Sequence, residues 1–76
     1  MNINFELYKV FYYVAKNSSI SRAANEMMIS QPAISKSIKT LEEQVGTSLF
    51  IRKRDGVILS EAGETIYNKI KDNPSL

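Results

Sequence analysis

Three features of this 76-residue chain predict a mainly α fold of three helices, a two-stranded β hairpin and a fourth helix. Residues 5–16 carry apolar side chains at helical spacing. Residues 21–41, SRAANEMMISQPAISKSIKTL, read as two helices joined by a turn too short to loop away. Two short β-prone segments then flank Lys53-Arg54-Asp55-Gly56, whose Asp-Gly pair has the chemistry of a tight turn. Together these describe a winged helix-turn-helix: a three-helix core with a two-stranded β wing.

The first helix is expected over Phe5–Lys16, with Leu7, Val10, Phe11, Val14 and Ala15 in the i, i+3, i+4, i+7, i+8 pattern of a buried stripe. Tyr8, Tyr12 and Tyr13 admit a reading as a stacking platform for bases. Aromatics at helical spacing more commonly form the core and its border, and packing is the reading adopted. Asn17-Ser18-Ser19 breaks the pattern. Either Ser19 or Ser21 can cap the next helix, expected over Arg22–Met28, and Ile20 then plugs the space under the turn. Ala23 and Ala24 let a second backbone approach closely, and Met27, Met28 and Ile29 close the helix, the Met pair read as filler of irregular core gaps rather than as an adaptable binding surface.

Ser30 is the expected N-cap of a third helix over residues 31–45, and Pro32 sits in its first turn, where a missing N–H costs little. Ile34, Ile38, Leu41 and Val45 fall on one stripe that faces the core, and Gly46 supplies the left-handed C′ position. The opposite side holds Pro32, Ser35, Lys36 and Lys39. The exposed face of the helix's first half is therefore short, polar and cationic, as a reader of the DNA major groove needs. Glu42 and Glu43, near the C-terminal end, oppose the helix dipole and repel phosphate, so that end is expected to point away from nucleic acid.

The wing is expected from Ser48–Arg52 and Val57–Leu59. In isolation, Arg52-Lys53-Arg54 at its tip is equally well an ordinary solvated turn. Beside a cationic helix face, the three bases point to the flanking DNA backbone or the minor groove, where negative potential favours arginine. Ser60 then caps a last helix, with Glu61 and Glu64 in its first turn, Lys69 and Lys71 in its last, and Asn73-Pro74 ending it. Ala62, Ile66, Tyr67 and Ile70 make one apolar face. Part of it is expected to cover the first helix, and the remainder is available to another chain.

Composition narrows the function. A chain of 76 residues makes one small domain. The absence of Cys and His removes disulfides, thiolate and imidazole chemistry and the usual zinc ligands, so no cofactor or metal is expected. No clustered acid–base pair suggests an enzyme. The longest apolar run, Val10–Ala15, is far short of the roughly 20 residues that span a bilayer. The opening MNINFE lacks a cationic segment ahead of an apolar one, so no secretory signal and a cytoplasmic location are expected. Asn17-Ser18-Ser19 matches a glycosylation sequon, taken as coincidence. The net charge of +2 is small, but residues 30–60 set Lys36, Lys39, Arg52, Lys53 and Arg54 against only Glu42, Glu43 and Asp55. The basic residues fall in two tight groups, and distribution rather than total makes an electrostatic footprint.

Ser19-Ile20-Ser21-Arg22-Ala23-Ala24, Ile29-Ser30-Gln31-Pro32-Ala33-Ile34-Ser35, Leu41-Glu42, Gly46, Leu49-Phe50, Arg52 and Leu59-Ser60-x-Ala62-Gly63 fall at a familiar spacing. Over residues 5–63 the chain resembles the N-terminal winged helix-turn-helix domain of LysR-type transcriptional regulators. The resemblance implies a bacterial DNA-binding regulator whose helix beginning at Ser30 enters the major groove while the hairpin touches the flanking minor groove. By position it makes Gln31, Pro32, Ala33, Ser35 and Lys36 groove and base-edge contacts, and Ser30, Lys39 and Arg52 backbone clamps. The chemistry agrees: Gln31 suits adenine, Pro32 and Ala33 suit a thymine methyl, and Lys36 suits guanine O6 or N7. Arg22 is either a phosphate contact or a solvated charge. The family's wing usually keeps a basic residue around 55–56, where this chain has Asp55-Gly56, which leaves either Lys53 or Arg54 to reach the minor groove.

Members of the family normally continue through a long linker helix into an effector-binding domain. The chain is thus either an excised domain or a small stand-alone relative. The expected division is a winged helix-turn-helix over 1–60 (helix-turn-helix about 20–39, wing about 49–59), the start of a linker and dimerisation helix over 61–72, and a tail over 73–76. The resemblance places a homodimer seam at Ile66, Tyr67 and Ile70. This chain is expected to be a monomer or weak dimer off DNA, with two copies on a pseudo-palindromic site. No membrane and no small molecule are expected as partners. A protein-interaction module is the rival reading. RNA binding is a weaker one, since a rigid helix cannot enter the narrow A-form major groove.

Overall fold

The computed structural model describes residues 5–74 in the order α1 (Phe5–Asn17), α2 (Ile20–Met27), α3 (Gln31–Val45), β1 (Phe50–Lys53), β2 (Gly56–Leu59) and α4 (Glu61–Ile70). Residues 1–4, and 75–76 of the expected tail, lie outside the described residues. Three helices start on a serine whose hydroxyl accepts from an orphan backbone N–H: Ser19 from Arg22 at 3.0 Å, Ser30 from Ala33 at 3.2 Å, and Ser60 from Gly63 at 3.0 Å. Each such cap contributes about 1 kcal/mol. The first settles the choice between Ser19 and Ser21, and it starts α2 at Ile20, two residues before the expected Arg22.

One face of each helix meets in a single core. Leu7, Val10, Phe11 and Val14 of α1, Ala23 and Ala24 of α2, and Ile34, Ile38 and Leu41 of α3 are buried together with Leu49 and Val57 of the wing region. The α1 tyrosines pack, as expected. Tyr8 and Tyr13 lie against the core, and Tyr12 stacks on Tyr67 of α4 with centroids 5.9 Å apart. Ile20 is half-buried against the same cluster.

Two expectations of burial fail. Val45 lies on the α3 stripe but is 37% exposed, because residues 43–48 are all exposed and the last turn of the helix projects past the core. Met28 is 89% exposed rather than a core filler. It is the C-cap of α2, in the left-handed conformation at φ 60°, so the chain leaves the helix before that position could return to the apolar face. The N–H groups of Met28 and Ile29 close the helix end by donating to Asn25 O and Ala24 O. Ile29 is 40% exposed, and only Met27 of the three packs on the core.

The wing is antiparallel, with Phe50 opposite Leu59, Ile51 opposite Ile58, Arg52 opposite Val57 and Lys53 opposite Gly56. Its turn is therefore Arg54-Asp55, one residue earlier than the Asp-Gly pair suggested. Gly56 is a strand residue that serves a long-range contact. A Cβ there would run into the Ser18 carbonyl oxygen, which accepts from the neighbouring Val57 N–H at 3.1 Å, and Gly56 also holds φ at +150°. The wing is thus docked on the α1–α2 turn. Gly63 plays a similar part in α4, where a Cβ would strike the carbonyl of Leu49. Ser60 completes this corner: its N–H donates to Leu49 O at 2.9 Å and its hydroxyl to Ser48 O at 2.7 Å.

Candidate nucleic-acid interface

The first half of α3 presents Gln31, Pro32, Ala33, Lys36 and Lys39 to solvent, while Ile34 and Ile38 face inward. Ser35 is half-buried, at the flank of this ridge rather than on its crest. Ser30 is exposed and its oxygen is engaged by Ala33 N–H, which leaves its own hydroxyl hydrogen free to donate. Arg22 is exposed on the first turn of α2.

Strand alternation divides the basic run of the wing. Arg52 shares the inner face with Phe50 and Val57 and lines a hollow with Ile38, Glu42 and Ser48, so it lies on the side turned toward α3. Lys53 belongs to the outer face with Ile51, and Arg54 stands in the turn. A second hollow runs between the start of α2 and the wing, lined by Ser19, Ile20, Ser21 and residues 52–57. It brings the positive end of the α2 dipole beside the wing cations, a setting that favours an anion.

Among the described residues these charges are not neutralised by ion pairs. The ion pair among the described residues is Lys16 to Glu26, at 2.9 Å. Arg22, Lys36, Lys39, Arg52, Lys53 and Arg54 make no ion pair among them. The longest Cα extent is 33 Å, about one turn of B-DNA, and Arg52 of the wing lines the same hollow as Ile38 and Glu42 of α3. Among the described residues, no group of three or more Asp or Glu could hold a metal ion, and no helix is long and apolar enough to cross a membrane.

Two polar arrangements were not foreseen from sequence. The Glu42 carboxylate accepts from Leu49 N at 2.7 Å and Phe50 N at 3.3 Å, bridging α3 to the start of the wing. The readable signal was an acid in a helix's last turn, against the dipole, which asks for a partner outside the helix. Glu26 accepts from Asn17 Nδ2 at 2.9 Å and from Lys16 Nζ at 2.9 Å, and Asn17 also donates to Tyr13 O at 2.8 Å. The hydrogen bonds from Asn17 and Lys16 hold the Glu26 carboxyl below its ordinary value, and the bond to Glu26 raises the Lys16 ammonium. This cluster ties α1 to α2 and engages the asparagine of the sequon.

Ile66, Tyr67 and Ile70 of α4 are half-buried against the chain's own core, and Tyr67 is the partner of Tyr12. Their remaining surface is exposed. The outer face of the wing also leaves Ile51 and Ile58 paired and 45% and 47% exposed.

Residues 5–64 match the family described as bacterial regulatory helix-turn-helix proteins, lysR family. The chain is 40% identical over 68 residues to the RuBisCO operon transcriptional regulator of Allochromatium vinosum, an alignment covering 90% of this chain and 22% of that protein. It is 51% identical over 59 residues to the HTH-type transcriptional regulator BudR of Klebsiella aerogenes, covering 78% of this chain and 41% of the relative. The chain thus spans less than half the length of either. Its fold superposes on the crystal structure of the CbnR DNA-binding domain in complex with DNA with a TM-score of 0.86 at 29% identity, over 91% of this chain and 79% of that one. A match across most of the chain, carried by the same four helices and wing, makes this chain a member of the lysR family of bacterial regulatory helix-turn-helix proteins.

Proposed function

We propose that this chain binds double-stranded DNA sequence-specifically in transcription regulation, with the first half of α3 in the major groove and the wing at the flanking minor groove. The observation that carries this reading is the set of six exposed cations on α2, α3 and the wing, which make no ion pair among the described residues, in a molecule about as long as one DNA turn. Gln31, Pro32, Ala33, Ser35 and Lys36 meet base edges and the groove wall. Ser30, Lys39, Arg22, Arg52 and Lys53 hold the backbone, and Arg54 in the turn is the base placed to enter the minor groove. Residues 1–60 act as the DNA-binding unit and 61–72 begin a linker helix through which two copies pair at Ile66, Tyr67 and Ile70. The chain is a cytoplasmic binding module and not an enzyme, as its kinship with transcriptional regulators supports.

Fluorescence anisotropy with DNA duplexes across a salt series tests this. The four backbone cations, together with Arg54 between the phosphate strands of the minor groove, give a slope of log affinity against log salt of about −4 to −5 per bound copy, at about 0.9 per charge neutralised. Lys36→Ala should cost about 1–3 kcal/mol on the preferred sequence and relax base preference, whereas Arg52→Ala should weaken all sequences alike and reduce the slope by about 1. A shallow slope, or equal losses on preferred and scrambled DNA for both variants, rejects the reading.

A further inference from the structure

We infer that Glu42 is a positioning residue for DNA reading: its carboxylate sets the angle between α3 and the wing so that one duplex meets both. The inference rests on the groove reading proposed above. Among the described residues, the Glu42 side chain is the one hydrogen-bonded link between α3 and the wing region, through Leu49 N and Phe50 N. The wing's other ties run elsewhere, from Val57 N to Ser18 O at the α1–α2 turn and from Ser60 to Ser48 and Leu49 at the foot of α4. Between α3 and Leu49 the chain is Gly46, Thr47 and Ser48, all exposed, so this connection does not by itself define a direction.

The chemistry of the position fits a strut. A carboxylate is the side-chain group best suited to accept from two successive N–H groups, and such charge-assisted bonds are among the stronger ones. The last turn of a helix disfavours an acid, so nothing within α3 accounts for Glu42. Glu42 and Arg52 line the same hollow. Glu42 holds the Phe50 end of β1 and the Val57–Ser18 bond holds the far end of the wing, so losing the Glu42 anchor lets the arginines between them shift relative to α3. A shift of about 1 Å takes an arginine out of hydrogen-bond range of a phosphate or a minor-groove base edge, since the heavy-atom distance spans only about 2.7–3.2 Å.

A double-mutant cycle decides the matter. Glu42→Gln keeps the size and gives up the charge; Glu42→Asp keeps the charge and draws it back by one methylene. Each is combined with Arg52→Ala plus Arg54→Ala, and binding to a mixed-sequence duplex of about two helical turns is measured across a salt series, with circular dichroism reporting the fold. In the wild-type background, loss of the two arginines should reduce the salt slope by about 2, at about 0.9 per phosphate. In either Glu42 background the same loss should reduce it by less than about 1, with an affinity coupling of at least about fivefold. A Glu42 that merely stabilised the fold would leave the cycle additive. Additivity within about twofold, or collapse of the fold in both Glu42 variants, overturns the inference while a steep wild-type slope leaves the DNA reading intact. A wild-type slope near zero overturns the DNA reading itself, and the inference with it.

Discussion

Val45 and Leu49 are four residues apart, both aliphatic, and indistinguishable by hydrophobic pattern, yet truncating them to alanine should have unequal effects. Leu49 is 0% exposed, sealed between the core and the Gly63 turn of α4. Leu49→Ala removes three buried carbons, about 2.4 kcal/mol at about 0.8 kcal/mol each. The cavity left behind brings the cost to about 3–4 kcal/mol, because the surroundings relax only partly. A domain of this size has roughly 4–11 kcal/mol to lose, so the variant gives up about a quarter or more of its stability. Val45 is 37% exposed and leaves no sealed cavity, so Val45→Ala should cost under about 1 kcal/mol. Urea unfolding followed by far-ultraviolet circular dichroism, with a common m-value, measures both. The Leu49 variant should melt roughly 12–30 °C below the parent and the Val45 variant within about 8 °C of it. Equal costs, or a Leu49→Ala loss below about 1.5 kcal/mol, would show that the core does not close at Leu49.

Acid stability should depend on Glu26. Its folded pKa is lowered by Asn17 and Lys16, so the stability it lends is present above the unfolded carboxylate value and is lost as pH falls through the folded one. Lys16, raised by Glu26, lends stability that is fully present below its unfolded value and is lost only as pH rises through the folded ammonium range. The gap in urea midpoint between wild type and Glu26→Gln should therefore close on acidification through the carboxylate range. A gap that widens toward acid contradicts the assignment, and because the pair is exposed, salt should shrink the gap at neutral pH. For the α4 seam, Ile66, Tyr67 and Ile70 already spend much of their surface on the chain's own core, so sedimentation should show monomer or a weak dimer. A tight dimer at about micromolar concentration, an affinity of about −8 kcal/mol, would contradict that.

Much of the fold was legible because it is written locally. The α1 stripe, the Ser30 and Ser60 caps, the small residues Ala23 and Ala24 at the crossing and the Gly46 stop each follow from periodicity or from one backbone group seeking a partner a few residues away. The misreadings share a cause. Periodicity says which side of a helix faces inward, and not how far along the core extends, so Val45 was placed inside. It also cannot say where a helix turns into the left-handed cap that carries Met28 outward. Asp55-Gly56 resembles a hairpin turn, but Gly56 is required by the Ser18 carbonyl, 38 positions earlier in the chain. The candidate interface was read at the level of residue types, and its division was not: Arg52 and Lys53 fall on opposite faces of β1 only once the register is known.

By itself the sequence determined the order and kind of the elements, the cationic ridge beginning at Ser30 and the family to which the chain belongs, since all of these rest on composition, spacing and short-range hydrogen bonding. The tertiary structure alone decided how the ridge and the wing are joined. The Glu42 bridge to Leu49 and Phe50, the seat of Val57 on Ser18 and the corner at Ser60 and Gly63 each unite groups from different elements of the fold. No local preference of the residues concerned encodes such meetings, because they arise only when packing of the core brings the backbones together.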